Sequence, residues 1–360
     1  MSIVDGVEVV LNPPEPVRIK GEPGDFELDL LFSIDTEKEK IAEIGLTDIR
    51  GSFDVDSEES IYLYSPEGQD EVFFKFDSTG AFVKSFGRLG QGPGEVQGGV
   101  SFLNISPRDE IVVTDPRNKK VVFFDTNGEF LREIGFTDEV LSAELLENGN
   151  FLLWKRVLDP TSDYLIQSPL VVTDGGLNEL QVLDRQYVPN PMQGERLKGT
   201  YHVFSWAVAG GRIFSGFQER GYEIPVFDQD GKPVQKIQKK YKPVPIPDEH
   251  KEEFMLAFSN PIFDDIRNKI YFPDAMPAFH AIFSDDMGRL FVMTYEKGEM
   301  SGEYIFDIFN AEGVFIGRKS MRMFFDESGI YARVRNDCLY CIQEKESGFK
   351  ELVVYHMIWD

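Results

Sequence analysis

The sequence predicts an all-β protein: a six-bladed β-propeller of four-stranded antiparallel blades, with a short helical insertion between blades four and five. Three observations predict it. A turn phrase returns six times, a second turn family interleaves with it, and many strands are apolar at consecutive positions. The first phrase is an apolar run, an acidic residue or Asn, small polar residues, then Gly. It occurs at Phe76–Gly80, Phe124–Gly128, Val172–Gly176, Phe227–Gly231, Phe309–Gly313 and, more loosely, Gln343–Gly348. Each reads as a tight turn between two strands.

The second family precedes an apolar strand each time: Asp56–Ser60, Ser106–Glu110, Glu147–Asn150, Ala209–Arg212, Asp285–Arg289 and Asp326–Gly329. Alternating the two families gives a unit of inner strand, turn, second strand, loop, third strand, Gly turn and outer strand. The second unit shows it most cleanly, with strands expected over 101–105, 111–114, 121–125 and 130–134. Runs such as Val121-Val-Phe-Phe124 are apolar on both faces, as expected of a sheet pressed between two neighbouring sheets. The blades are expected over roughly 49–87, 100–136, 140–188, 201–240, 278–320 and 321–360, so the propeller occupies 31–360. Residues 1–30 are punctuated by Pro and Gly and read as an irregular arm. Phe26–Ile34 and Ile41–Ile44 read as strands near the junction of the first and last blades, both of which look complete by themselves. An insertion over about 241–277 carries early acids and an apolar stripe at Pro247–Phe258, stopped by Ser259-Asn-Pro261, which predicts a short helix. It reads as a plug on the ring surface, with a lid over the central opening as the sharper alternative.

Composition agrees. Apolar residues make up 42% and aromatics 13% of 360 residues, and the 31 Phe suit large rigid fillers between stacked sheets. A net charge of −25 repels phosphate backbones and anionic headgroups, so nucleic acid is not an expected partner. No apolar run approaches the ~18 residues of a membrane span. The N-terminus has neither a basic nor an apolar leader region, so the chain is either cytoplasmic or begins after a removed leader. Cys338 and Cys341 lie three apart on a predicted strand and point to opposite faces, which disfavours a disulfide and predicts two core thiols.

Gly87-Arg-Leu-Gly-Gln-Gly-Pro-Gly-Glu95, followed by Asp115-Pro-Arg-Asn-Lys-Lys-Val-Val-Phe-Phe-Asp125, resembles the NHL-repeat type of six-bladed propeller. In particular it is similar to a large set of uncharacterised bacterial propellers, often exported and frequently lipid-anchored. Val9–Pro13 looks like the arm that follows a cleaved leader, and Phe272–Phe279 leading into Asp286–Val292 looks like the start of the fifth blade. The likeness spans nearly the whole chain and is crisp in two repeats. The first blade has Ser65–Gly68 where the Asp-x-x-Asn turn would stand, and blades three, four and six lack that turn. The resemblance implies export to the periplasm or cell surface, with a lipid anchor in a longer precursor, and it implies no reaction.

No G-x-S-x-G elbow, H-E-x-x-H, P-loop or EF-hand pattern is present, so no catalytic residue and no metal ligand is assigned. The Gly90-x-Gly92-x-Gly94 spacing is followed by a strand and not by a helix N-terminus, which excludes a phosphate cradle. Inner strands and the loops entering them offer Arg50, Asp54, Ser101, Asn104, Glu144, His202, Trp206, His280 and Arg322 to a central channel. His202 and His280 would need matching register to share a metal, and aligning the Gly-Arg turns sets Val203 against His280. Arg88, Gln91 and Glu95, with Trp154, Arg156, Trp206 and Tyr295, would form an Arg–aromatic mouth suited to a sugar or small acid. The expected ligand-binding set is therefore Arg50, Arg88, Gln91, Glu95, Arg156, His202, Trp206, His280, Tyr295 and Arg322. The expected function is an exported, monomeric binding module without a cofactor. It would take a small molecule, a glycan or a cell-envelope protein at its funnel and rim loops. The alternative is a metal-dependent hydrolase or lyase of the lactonase or amidating-lyase propeller type, with calcium or zinc in the channel.

Overall fold

The protein's structure is a computed structural model describing residues 2–4, 6–49, 52–65, 71–98, 100, 102–200, 204–326 and 329–360. Six antiparallel four-strand cores lie around one axis. In order from the axis outward, blade one is Phe53–Val55, Ile61–Tyr64, Glu71–Phe76 and Phe82–Leu89, and blade two is Phe102–Ile105, Ile111–Asp115, Lys120–Phe124 and Phe130–Gly135. Blade three is Glu139–Leu145, Phe151–Leu158, Tyr164–Thr173 and Glu179–Pro189, and blade four is Phe204–Ala209, Arg212–Phe217, Glu223–Asp228 and Pro233–Lys239. Blade five is Ala281–Ser284, Leu290–Lys297, Glu303–Phe309 and Phe315–Arg322. Blade six takes Ala332–Arg335, Cys338–Glu344 and Lys350–Trp359 from the end of the chain and its outer strand, Phe26–Asp35, from the beginning.

The recurring acid in the third-to-outer turns has one job, which is to satisfy backbone amides that no strand partner reaches. Oδ1 of Asp77 accepts from Thr79 N at 2.9 Å and Ala81 N at 3.0 Å. Asp125 repeats this with Asn127 and Glu129, Asp174 with Gly176 and Asn178, and Asp228 with Asp230 and Lys232. The glycine that follows serves the next level of packing. At Gly128, φ is +76° and a Cβ would stand 2.4 Å from the ring of Phe86, on the outer strand of blade one. At Gly80 a Cβ would stand 2.4 Å from the ring of Phe32, on the outer strand of blade six. The turn glycine is where one blade presses on the next.

The apolar residues gather into six clusters, one per seam between blades. Between blades one and two, the rings of Phe73, Phe86 and Phe124 lie 5.4–5.7 Å apart, two of the three contacts tilted and the third edge-on. Cys338 lies in the seam between blades six and one, and Cys341 in that between blades five and six, which is the period-two alternation of a strand. Both thiols are free and buried, and burial pushes the Cys341 thiol up to about 12.

Blade six departs from the expected register by one strand. The turn at 344–350 joins its second and third strands, so the loosest copy of the first phrase is not a third-to-outer turn. Its inner hairpin turns at Asn336 and Asp337, both left-handed, while Phe325–Asp326 and Gly329–Ile330 form a separate two-stranded ribbon. The arm is likewise more regular than expected. Val7–Asn12 adds in parallel to the outer strand of blade four, Ser2–Val4 folds back on it, and the propeller proper begins at Phe26 rather than at residue 31. Between these strands the arm crosses blade five, where Asn12 Oδ1 accepts from Phe315 N at 2.8 Å and Val17 N donates to Phe315 O at 2.8 Å. Ile41–Ile44, expected as a strand, overlaps a helical turn, Glu39–Ala42, that buries Ile41.

The insertion helix is Asp248–Ala257, between blades four and five in chain order. It rests on the connection from blade three to blade four: His250 Nε2 lies 3.2 Å from Gly199 O, and Leu197–Lys198 pairs with Ile270–Tyr271.

Candidate functional site

A cavity of about 370 Å³ lies on the ring axis. Its wall comes from the inner strands and from the turns that follow them, and Pro107, Glu147, Gly210 and Asp286 at those turns are exposed. The cavity therefore opens at the end that carries the inner-to-second turns. The Gly-rich segment after blade one, which joins an outer strand to the next inner strand, lies at the opposite end by topology.

Inside the mouth, five blades each send one polar or amphipathic side chain inward: Asp54, Asn104, Glu144, Trp206 and Arg333. Alternation puts them there. Phe53 and Val55, which flank Asp54, fill the seam between blades six and one, and Ala143 and Leu145, which flank Glu144, fill that between blades two and three.

Asp54 is fully engaged: Oδ2 accepts from Ile105 N at 2.7 Å, and Oδ1 from Val55 N at 2.9 Å and Arg333 Nε at 3.2 Å. Glu144 Oε2 accepts from Trp206 Nε1 at 3.1 Å. Glu144 is enclosed by the ring yet partly accessible from the channel. Burial pushes its carboxyl up to about 6, with Arg333 pulling it down and Asp54 adding to the rise. The Trp206 ring stands 5.9 Å from Phe102 and 5.6 Å from Trp154. Asn104 is 3% exposed, and its Nδ2 donates to Ala143 O at 2.8 Å, which fixes the amide orientation. Its Oδ1 then accepts no hydrogen bond.

Of the ten residues expected to bind ligand, Trp206 lines this cavity. Arg50 and His202 lie outside the described residues, as does Ser101. Arg88 and Gln91 are exposed near the Gly-rich segment, whereas Glu95 folds over its own loop, with Oε2 accepting from Gly92 N at 2.8 Å. Arg156 pairs with Glu139 on the neighbouring strand of its own blade. His280 is buried, stacks on Tyr295 at 5.4 Å and meets Phe325 edge-on at 4.5 Å, so the two residues pack together away from the cavity. Arg322 closes blade five and donates to Glu344 O at 2.9 Å. The channel candidates Asp54, Asn104 and Glu144 do line the cavity.

Arg333 was missed because of the register of blade six. Taking the turn at 326–329 as the inner hairpin assigns Arg322 to the inner strand, whereas the true inner strand, Ala332–Arg335, carries Arg333. The left-handed Asn336-Asp337 pair, a hairpin signal, marks the correct turn. The insertion, 241–277, contributes no residue to the cavity lining. Among the described residues no group of three or more His, Cys, Asp or Glu is placed to hold a metal ion, and no helix is long and apolar enough to cross a membrane.

Residues 55–199 match the model of a family, DUF5128, described as a 6-bladed beta-propeller. No curated protein matches the chain. Among solved structures, the chain is similar to a Bacteroides fragilis protein named "Putative exported protein", at 15% identity and a TM-score of 0.54, covering 96% of this chain and 99% of that one. It is also similar to a DUF4221 family member from Bacteroides vulgatus, at 14% identity and a TM-score of 0.55, covering 94% and 99%. A gluconolactonase from Xanthomonas campestris follows at 9% identity and a TM-score of 0.45, covering 96% and 99%. At these identities the likeness shows the fold, and the chain is an all-β six-bladed propeller with a short helix.

Proposed function

We propose that this protein is an exported binding module that takes a small polar molecule into its axial cavity through the end bearing the inner-to-second turns. One observation carries the reading: polar side chains from separate blades converge on a space of about 370 Å³, beside the aromatic walls of Phe102, Phe204 and Trp206. A concave space with apolar walls and a few converging polar groups is the usual form of a small-molecule site. The Gly-rich segment offers no comparable arrangement, since Glu95 folds onto Gly92 N while Arg88 and Gln91 are exposed. Export is supported by the family resemblance and by the name of the Bacteroides fragilis neighbour.

The test is a ligand screen covering monosaccharides, amino acids, nucleosides and amines, read by the indole N–H resonances of the three Trp. Binding in the cavity shifts the Trp206 signal, whose N–H reaches Glu144, and leaves that of Trp359 in place. Ligands that bind while leaving Trp206 untouched would sink this reading, as would turnover of a bound compound.

A further inference from the structure

We propose that the axial cavity is built for an organic cation: a protonated amine whose N–H groups meet the Glu144 carboxylate and the Asn104 side-chain oxygen, with its carbon skeleton against Trp206 and Phe102. This rests on the reading of the cavity as a binding site and adds the class of ligand.

The argument is an account of donors and acceptors. Several donors in the inner layer are already engaged: Trp206 Nε1 on Glu144, Asn104 Nδ2 on Ala143 O, Arg333 Nε on Asp54 and Arg333 Nη1 on Ala332 O, two of the five N–H groups of that guanidinium. Two acceptor positions are open. Asn104 Oδ1 has no partner although its residue is 3% exposed, and only Oε2 of Glu144 takes the indole bond. An ammonium group has three donors and no acceptor, so it completes such a layer. A sugar hydroxyl or a carboxylate would add further acceptors beside these and would have to compete with Asp54 for the Arg333 guanidinium.

Charge agrees. The lining carries the carboxylates Asp54, Glu144, Glu147, Asp285 and Asp286 against the guanidinium groups of Arg333 and Arg335, in a chain of net charge −25. Asp285 is neutralised by Arg289, and Asp54 by Arg333, which leaves Glu144 as the inner carboxylate without a dedicated cation. A cleft lined mainly by one sign of charge concentrates the opposite ion. The ring of Trp206 adds a face that attracts cations, and Phe102, 5.9 Å from it, already holds the Arg333 guanidinium 6.0 Å from its centroid.

The test titrates the intact protein with 2-phenylethylamine, the neutral 2-phenylethanol, the anionic 3-phenylpropionate and glucose, by calorimetry and by the Trp206 indole resonance. The amine is expected to saturate and to shift Trp206, with 2-phenylethanol at least about tenfold weaker, the difference expected for one charge-assisted bond. Glu144→Gln should weaken the amine by a similar factor while the melting temperature shows the fold intact, and Asn104→Ala should weaken it independently. Wild-type affinity should fall as pH drops through about 6, where Glu144 takes up a proton, and should stay level in the Glu144→Gln protein. Equal or tighter binding of the alcohol, the acid or glucose overturns the cation assignment and, if Trp206 still shifts, leaves the binding module standing. Amine binding that leaves Trp206 unshifted removes both.

Discussion

The Gly-rich segment after blade one and the inner layer of the axial cavity are opposites in their hydrogen bonding. The segment is tied to blade two by full hydrogen bonds: Asn118 Nδ2 reaches Gly90 O at 2.8 Å, Lys120 Nζ reaches Gly92 O at 2.8 Å, and Gln97 N reaches Asp115 Oδ2 at 2.9 Å. A Cβ on Gly90 would stand 2.0 Å from the Glu95 carboxylate. In the cavity layer an acceptor is left open and a carboxylate is held above its usual range. The first region is arranged for stability and the second for something still to arrive. Substitutions should therefore separate them, costing stability in one and binding in the other.

The largest effect belongs to the contact between the segment and blade two. Asp115 is fully buried, and its carboxylate takes bonds from Gln97 N, Asn118 N and Asn118 Nδ2. Asp115→Ala should cost about 3 kcal/mol in chemical denaturation, because three half-buried donors lose a buried carboxylate acceptor at once. Amine binding should be unchanged in the folded fraction. A change in affinity as large as that of the cavity variants would break the comparison.

Next comes Glu144→Gln, which should stabilise. Its carboxyl rises from 4.5 to about 6 on folding, so the native state holds the proton more tightly than the unfolded chain. The cost of ionising it grows as pH climbs from about 4.5 through about 6 and is fully present above. The variant should therefore gain up to about 2 kcal/mol at pH 7.5 and nothing at pH 4, by the linkage of 1.36 kcal/mol per unit. Denaturation curves at the two pH values check it, and a destabilised variant at pH 7.5 would contradict the site's electrostatics. Smallest of all is Asn104→Ala. It removes one bond worth about 1 kcal/mol and one open acceptor of similar cost, so stability should move by less than about 0.5 kcal/mol.

The sequence announces what each repeat must do for itself. The acid and the glycine of the third-to-outer turns are local demands of the backbone, and they recur where the same geometry recurs. Blade six was legible only in part because its outer strand is far away in the chain. The ribbon at 325–330 took that strand's place in the pattern, and the displacement put Arg322 where Arg333 belongs. The site was harder still. Asp54, Asn104 and Glu144 could be marked as inward by alternation, but each stands alone in its repeat with no neighbouring residue to form a motif. His280 and Tyr295 show the converse: functional residue types on a seam, absorbed by aromatic packing.

Blade six also bears on how the molecule comes into being. Phe26 pairs with Trp359, and Asp360 N donates to Asp25 O, so two residues more than 330 positions apart are neighbours in one sheet. At about 5–20 residues per second of synthesis, the leading strand waits on the order of tens of seconds before its partner exists. Until then Phe32 cannot press on the turn at Gly80, and blade one stands without its flank. Maturation of the circle is thus a single late event that depends on both tails, and a chain interrupted anywhere before its last strand is left as an unclosed arc.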